Sequence, residues 1–245
     1  MGRLAVVAGH SLLGGSFAAG AQAVDIAVGD ATVRVLDTED YCFLQRHGAD
    51  DYRPPHRVDH VANLHALRTM GCDRVLAIGS VGGLRAEHAV GDVIAPHDFI
   101  ALDRVVSAYD DARGHRVPGF DPSWRRAVID AWSRETRKGP ATEGVYWQTD
   151  GPRFETPAEI RLIAAFADVV GMTIASECIV AGELDLAYAA ICVIDNLANG
   201  LRSDPLSVAE FEDGKAANRA DTAATVTRVA TALAREGPAA ARVRG

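Results

Sequence analysis

The chain has 245 residues, with 25 Lys and Arg against 33 Asp and Glu for a formal net charge of −8, and so lacks the cationic excess that phosphate contacts demand of a nucleic-acid binder. A hydrophobic share of 48% beside 24% charged residues excludes a disordered chain and fits a folded domain. The first apolar run stops at His10 and no later stretch reaches the ~18 apolar residues of a membrane span. Cys42, Cys72, Cys178 and Cys192 form no C-x-x-C pair, so they read as buried thiols of a reduced compartment, and a cytoplasmic protein is expected.

Residues 4–8 are the first predicted strand, ending in the polar, glycine-rich run from Gly9. Residues 24–28 and 32–36 flank Gly29-Asp30 and predict a hairpin. A strand over 41–44 leads into Arg46-His47-Gly48. Apolar residues at helical spacing from Val58 to Leu67, stopped by Gly71, predict a helix. Residues 74–78 read as a strand buried on both faces that runs into a glycine loop, 79–83, with exposed backbone amides. Strands are expected over 91–96, 144–149 and 188–194, and helices over 123–134 and 157–167. Ser207 and Glu210 have the form of a capping box for a last helix whose buried stripe is Val208, Phe211, Val226, Val229, Ala230 and Leu233. Short Val- and Ile-rich runs alternating with helices predict one α/β domain over residues 1–236, a central mixed β-sheet flanked by helices, with a frayed tail at 237–245.

Polar residues gather after four separate strands: His10 and Ser11, Arg46 and His47, Gly79 and Ser80, Asp195 and Asn196. Ligands of open α/β sheets bind at that end of the strands. Free amides of a glycine loop, the planar fork of Arg46 and a neighbouring His suit a phosphate. Phe154, Glu155 and Asn196 supply a ring face, a carboxylate and a carboxamide, which match a planar heterocycle bearing donors and acceptors. The eight histidines are scattered, so no metal site is expected.

These runs carry a resemblance. Arg46-His47-Gly48, the 79–85 run GSVGGLR, 90–94 VGDVI, Gly151-Pro152-Arg153-Phe154-Glu155-Thr156, Gly171-Met172-Thr173 with Glu177, and Tyr188-Ala189 with Asn196 together resemble the trimeric purine nucleoside phosphorylase and methylthioadenosine phosphorylase family. The resemblance implies phosphorolysis of a purine nucleoside to free base and a ribose 1-phosphate analogue, with inorganic phosphate as co-substrate, no cofactor, no nucleic-acid or membrane partner, and a homotrimer. It implies a phosphate cradle of His10 or Ser11, Arg46, His47, Ser80 and Thr173. Met172 would lie under the ribose and Phe154 against the base, Glu177 would hold sugar hydroxyls and phosphate, and Asn196, Glu155 and Asp195 would form the catalytic set.

Glu155 with Asn196 favours a 6-oxopurine, since a carboxylate accepts from N1–H and a carboxamide donates to O6 or N7. Asp195, where the family usually has a hydroxyl residue, leaves adenine open. At the start of the last helix Val208, with Ser207 spent on the cap, tilts the 5′ side toward a 5′-deoxy or 5′-methylthio group. The sequence departs from the family at His10 and Gly79, which motivates two alternatives: hydrolysis by water, or an inactive nucleoside-binding paralogue. The segment after Phe99 is compressed to residues 102–120, where His115 or Phe120 would reach a neighbouring subunit.

Overall fold

Alternation along the central strands sorts apolar side chains into two layers. Ala5 and Val7 of β1 (Arg3–Ala8), Val75 and Ala77 of β5 (Cys72–Gly83), and Ala190 and Cys192 of β10 (Ala187–Leu197) face one cluster; Leu4, Val6, Leu76, Ile78, Ala189 and Ile191 face the other. The first layer is closed by α1 (His60–Thr69) and α4 (Ile174–Glu183), the second by α2 (Pro122–Glu135) and α5 (Val208–Glu236). Each fully buried Val, Leu or Ile contributes about 1.5–3 kcal/mol. Val226, Val229, Ala230 and Leu233 form the buried stripe of α5 as expected. This computed structural model describes residues 2–9, 20–102, 105–201 and 208–236, with the backbone alone at 208–211, 215 and 219. His10, Ser11, the capping box at Ser207, the side chains of Val208 and Phe211, and the tail at 237–245 therefore lie outside the described residues.

The described strands form one mixed sheet in the order β2-β3-β4-β1-β5-β9-β8-β7, with β10 paired to β5 and β6. The remaining strands are β2 (Gln22–Val28), β3 (Ala31–Asp37), β4 (Tyr41–Gln45), β6 (Val93–Ile94), β7 (Asp98–Ile100), β8 (Val145–Gln148) and β9 (Val169–Gly171). The hairpin forms as predicted: Val28 pairs with Ala31 across Gly29-Asp30, and Gly29 has φ +54°. Helix α1 is capped by Asp59, whose side chain accepts from Ala62 N at 2.8 Å. α3 (Pro157–Ile163) opens on a capping box of Thr156 and Glu159. All four cysteines are free and buried.

Four expectations are corrected. Residues 79–83 are not a loop: β5 continues through them, because β10 runs alongside in register from Ala187↔Arg74 to Leu197↔Gly83 and takes up backbone groups on that edge. β10 likewise does not end at Ile194 but passes through Asp195 and Asn196, with a register shift between Ile194 and Asn196 that marks a bulge. The 91–96 strand shrinks to Val93–Ile94, and the helix predicted to 167 ends at Ile163. What positions the site is the unequal length of neighbours. β1 pairs with β5 only as far as Ile78, and β9 picks up that edge only at Gly82, so among the described strands none covers Gly79–Val81 there, and the sheet forks.

Candidate active site

A cavity of about 500 Å³ fills this fork. Gly9, Arg46, His47, Ser80 and Thr173 line one part of it; Phe154, Glu155, Met172 and Asn196 line another. Six separated segments are thus brought to one crevice at the carboxyl ends of the strands. Tyr52, Pro55 and Glu212 also line it; sequence reasoning assigned none of the three to the site, and nothing in the local pattern of Tyr52 and Glu212 separates them from ordinary turn and helix-surface residues. A larger hollow of about 810 Å³ lies at the opposite, amino end of β5 and β10. On its wall Arg116 pairs with Asp185 at 2.9 Å, and Glu183 accepts from Ser107 Oγ at 2.9 Å.

Arg46 follows β4 and is wholly buried. Its fork is not free, which corrects the expectation. Nε and Nη2 donate to the two carboxylate oxygens of Glu177, the Nη2 bond being 2.9 Å long, and Nη1 donates to Ile78 O at 2.9 Å. A guanidinium has five N–H donors, of which these bonds use three. Nη1 lies beside Gly9, where an added Cβ would come within 3.8 Å of it. Glu177 is likewise corrected. It has no exposed surface, is not on the cavity wall, and accepts from Tyr188 Oη at 2.6 Å; it holds Arg46 from behind. Burial pushes the Glu177 carboxyl up, but the Arg46 charge and hydrogen bonds, with buried His60 and Tyr188, outweigh it and hold the group below its ordinary range. Against the same burial penalty, Glu177 holds Arg46 above its ordinary value.

Thr173 is the N-cap of α4, yet its side chain makes no capping bond. The reason lies in β8. The Tyr146 hydroxyl oxygen accepts from the N–H groups of Thr173 (3.2 Å) and Ile174 (3.4 Å), and Gln148 Oε1 accepts from Ser176 N at 3.0 Å. Helix-start donors that a cap would satisfy are thus met from the sheet, which leaves Thr173 Oγ1 on the cavity wall beside the positive end of α4. His47 Nδ1 bonds Arg53 O at 2.8 Å, and its ring packs 5.4 Å from Tyr52.

Asp195 is the third correction. Its carboxylate meets α5, where Oδ1 accepts from Asn218 Nδ2 at 2.8 Å, and Oδ2 accepts from Ser80 Oγ. It is 3% exposed and is not on the cavity wall. Ser80 has a single hydroxyl proton and gives it to Asp195; toward the cavity Ser80 Oγ is an acceptor, not the phosphate donor expected. Helix α5 reaches this spot because residue 214 is glycine: a Cβ there would collide with the carbonyl oxygen of Asp195. Asn196 lines the cavity and spends one amide proton on Leu197 O at 2.9 Å. Glu155 Oε1 accepts from Thr149 Oγ1 at 2.6 Å, so its second oxygen is the remaining acceptor. Gly151, with φ +65°, carries the loop against Met172, whose Sδ a Cβ at that position would meet at 2.5 Å. Phe120 is buried, stacked at 6.2 Å on Tyr188, so it belongs to the core and is not available to a neighbour; His115 is exposed. Among the described residues no three His, Cys, Asp or Glu side chains gather as a metal site, and no helix is long and apolar enough to cross a membrane.

The family model described as "Phosphorylase superfamily" matches residues 14–231. A probable 6-oxopurine nucleoside phosphorylase of Archaeoglobus fulgidus is 40% identical over 190 residues, covering 77% of this chain and 78% of that one. A probable S-methyl-5′-thioinosine phosphorylase of Methanosarcina acetivorans is 40% identical over 178 residues, 71% of this chain and 68% of the relative. Among solved structures, the methylthioadenosine phosphorylase of Schistosoma mansoni in complex with adenine superposes with a TM-score of 0.81 at 19% identity, over 97% of this chain and 93% of that one; the likeness shows a shared fold.

Proposed function

The chain belongs to the phosphorylase superfamily and is a purine nucleoside phosphorylase, and on that premise we propose that its substrate is a 6-oxopurine nucleoside and its co-substrate inorganic phosphate. The observation that carries the reading is the pairing, in one cavity, of an anion-suited wall (Arg46, His47, Thr173) with a purine-suited wall (Phe154, Glu155, Asn196). A phosphate oxygen forms a bond to C1′ as the C1′–N9 bond breaks, and the electron pair of that bond passes into the purine, which takes up a proton as free base. Positioning and preorganised donors supply the catalysis. Asn196, with one amide N–H and Oδ1 uncommitted to Leu197, donates to O6 or N7, where negative charge grows. Glu155 accepts from N1–H. Asp195, held by Ser80 and Asn218, is withdrawn from the exocyclic position, which supports a 6-oxo over a 6-amino base. Met172 packs under the ribose, and the apolar Val208 at the start of α5 supports a 5′-deoxy or 5′-methylthio group.

The test is release of free base from inosine, guanosine, 5′-methylthioinosine, adenosine and 5′-methylthioadenosine with phosphate omitted and then restored. Phosphate-dependent release from the 6-oxopurines is expected, fastest from 5′-methylthioinosine. Release without phosphate, or preference for the 6-aminopurines, overturns the proposal. The reading extends to a homotrimer in which the 102–120 segment, through exposed His115, meets a neighbouring copy; light scattering checks the mass.

A further inference from the structure

The anion wall depends on a residue that never touches it. We propose that Tyr188 is a positioning residue for phosphate, acting through Glu177 on Arg46; this rests on the reading above. Tyr188 begins the apolar part of β10 and is wholly buried, its ring stacked on Phe120 and its hydroxyl donating to Glu177 Oε2 at 2.6 Å. The same oxygen accepts from Arg46 Nη2 at 2.9 Å. Arg46 therefore shares Glu177 with a second donor. The planar guanidinium moves as a unit, so its aim is set by where the two Glu177 oxygens are held. Without the hydroxyl, Oε2 is held by Arg46 alone, and the carboxylate turns about its side-chain torsions and takes the fork with it. The hydroxyl thus fixes Glu177 and, through it, the position of Arg46 on the cavity wall. Burial and the neighbouring Glu177 hold the Tyr188 phenol well above its ordinary pKa, so it stays a donor at every working pH.

Tyr188→Phe keeps the ring against Phe120 and removes the donor alone. The expected result is a rise of about tenfold in the KM for phosphate, equivalent to about 1.4 kcal/mol, with the KM for nucleoside and the kcat at saturating phosphate within about twofold of wild type. These KM values do not depend on the fraction of chains that fold. Phe120→Leu, which loosens the stack but keeps the hydroxyl, should leave the phosphate KM within about twofold. An unchanged phosphate KM in Tyr188→Phe, an equal rise in both KM values, or an equal rise in Phe120→Leu overturns the proposal. If the wild-type chain releases no base with phosphate, the functional reading has failed, and calorimetric titration of inorganic phosphate into both proteins decides this inference: a Kd about tenfold weaker in Tyr188→Phe sustains it, and equal Kd values or no binding by either end it.

Discussion

Replacing Glu155 by Gln tests how the base is read. The side chain is 7% exposed, and Oε1 is held by Thr149 Oγ1 at 2.6 Å, so the substituted amide stays in place with little change in volume. What changes is the second terminal atom, an acceptor in the wild type and an N–H₂ donor in the variant if the oxygen keeps Thr149. A 6-oxopurine presents N1–H there, and two donors then face each other. A hydrogen bond to a charged group is worth about 1.5–3 kcal/mol, so kcat/KM for inosine should fall by about tenfold to a hundredfold. The control is a purine riboside with no hydrogen on N1, which never made that bond and should lose less than about threefold. Initial rates of base release at saturating phosphate measure both. Equal losses for the two substrates would refute N1–H recognition by Glu155 and reduce the residue to a support of its loop.

Asn196→Ala removes the donor to O6 or N7 and should lower kcat by about a hundredfold with a much smaller effect on KM; single-turnover rates check it. Glu177→Ala strands the Arg46 charge in the core, and urea unfolding should show a loss of about 3–5 kcal/mol. Because the folded Glu177 carboxyl lies below its ordinary value of 4.5, its contribution to stability is complete at neutral pH and disappears as pH falls through that lowered value; melting temperatures of the wild type between pH 7 and 3 should drop in the acid range by more than those of Glu177→Gln. Gly214→Ala should push α5 off the Asp195 carbonyl, costing at least about 1–3 kcal/mol for the overpacking despite the better helix propensity of Ala, and a rise in Tm would show that the contact is loose.

The fold was legible where period and punctuation agree. β1, the 22–37 hairpin, α1 with its Gly71 stop and the stripe of α5 all follow from residues that have one structural use. Gly79–Gly83 was misread because glycine marks turns and also close backbone approach, and only the partner strand β10, more than a hundred residues away, decides between them. The site divided in the same way. Phe154, Glu155, Met172 and Asn196 line the cavity where their motifs suggested a ligand. Glu177 and Asp195 have equally suggestive chemistry but spend it on Arg46 and Ser80, a distinction that depends on which way a side chain points and leaves no trace in spacing. Tyr52 and Glu212 reach the cavity from surface positions that carry no sequence signal at all.

The bulge at Asp195 has a consequence for how this chain tolerates change. The register shift leaves Asp195 without a partner on β5, while Asn196 pairs with Gly82 and lines the cavity. Deleting Asp195 would leave the pairing of Asn196 with Gly82 in place and remove the acceptor of Ser80 Oγ and Asn218 Nδ2. The extra residue is thus a tether for α5 and no part of the strand's pairing, and a chain lacking it should keep its sheet while the amides of α5 exchange faster with solvent.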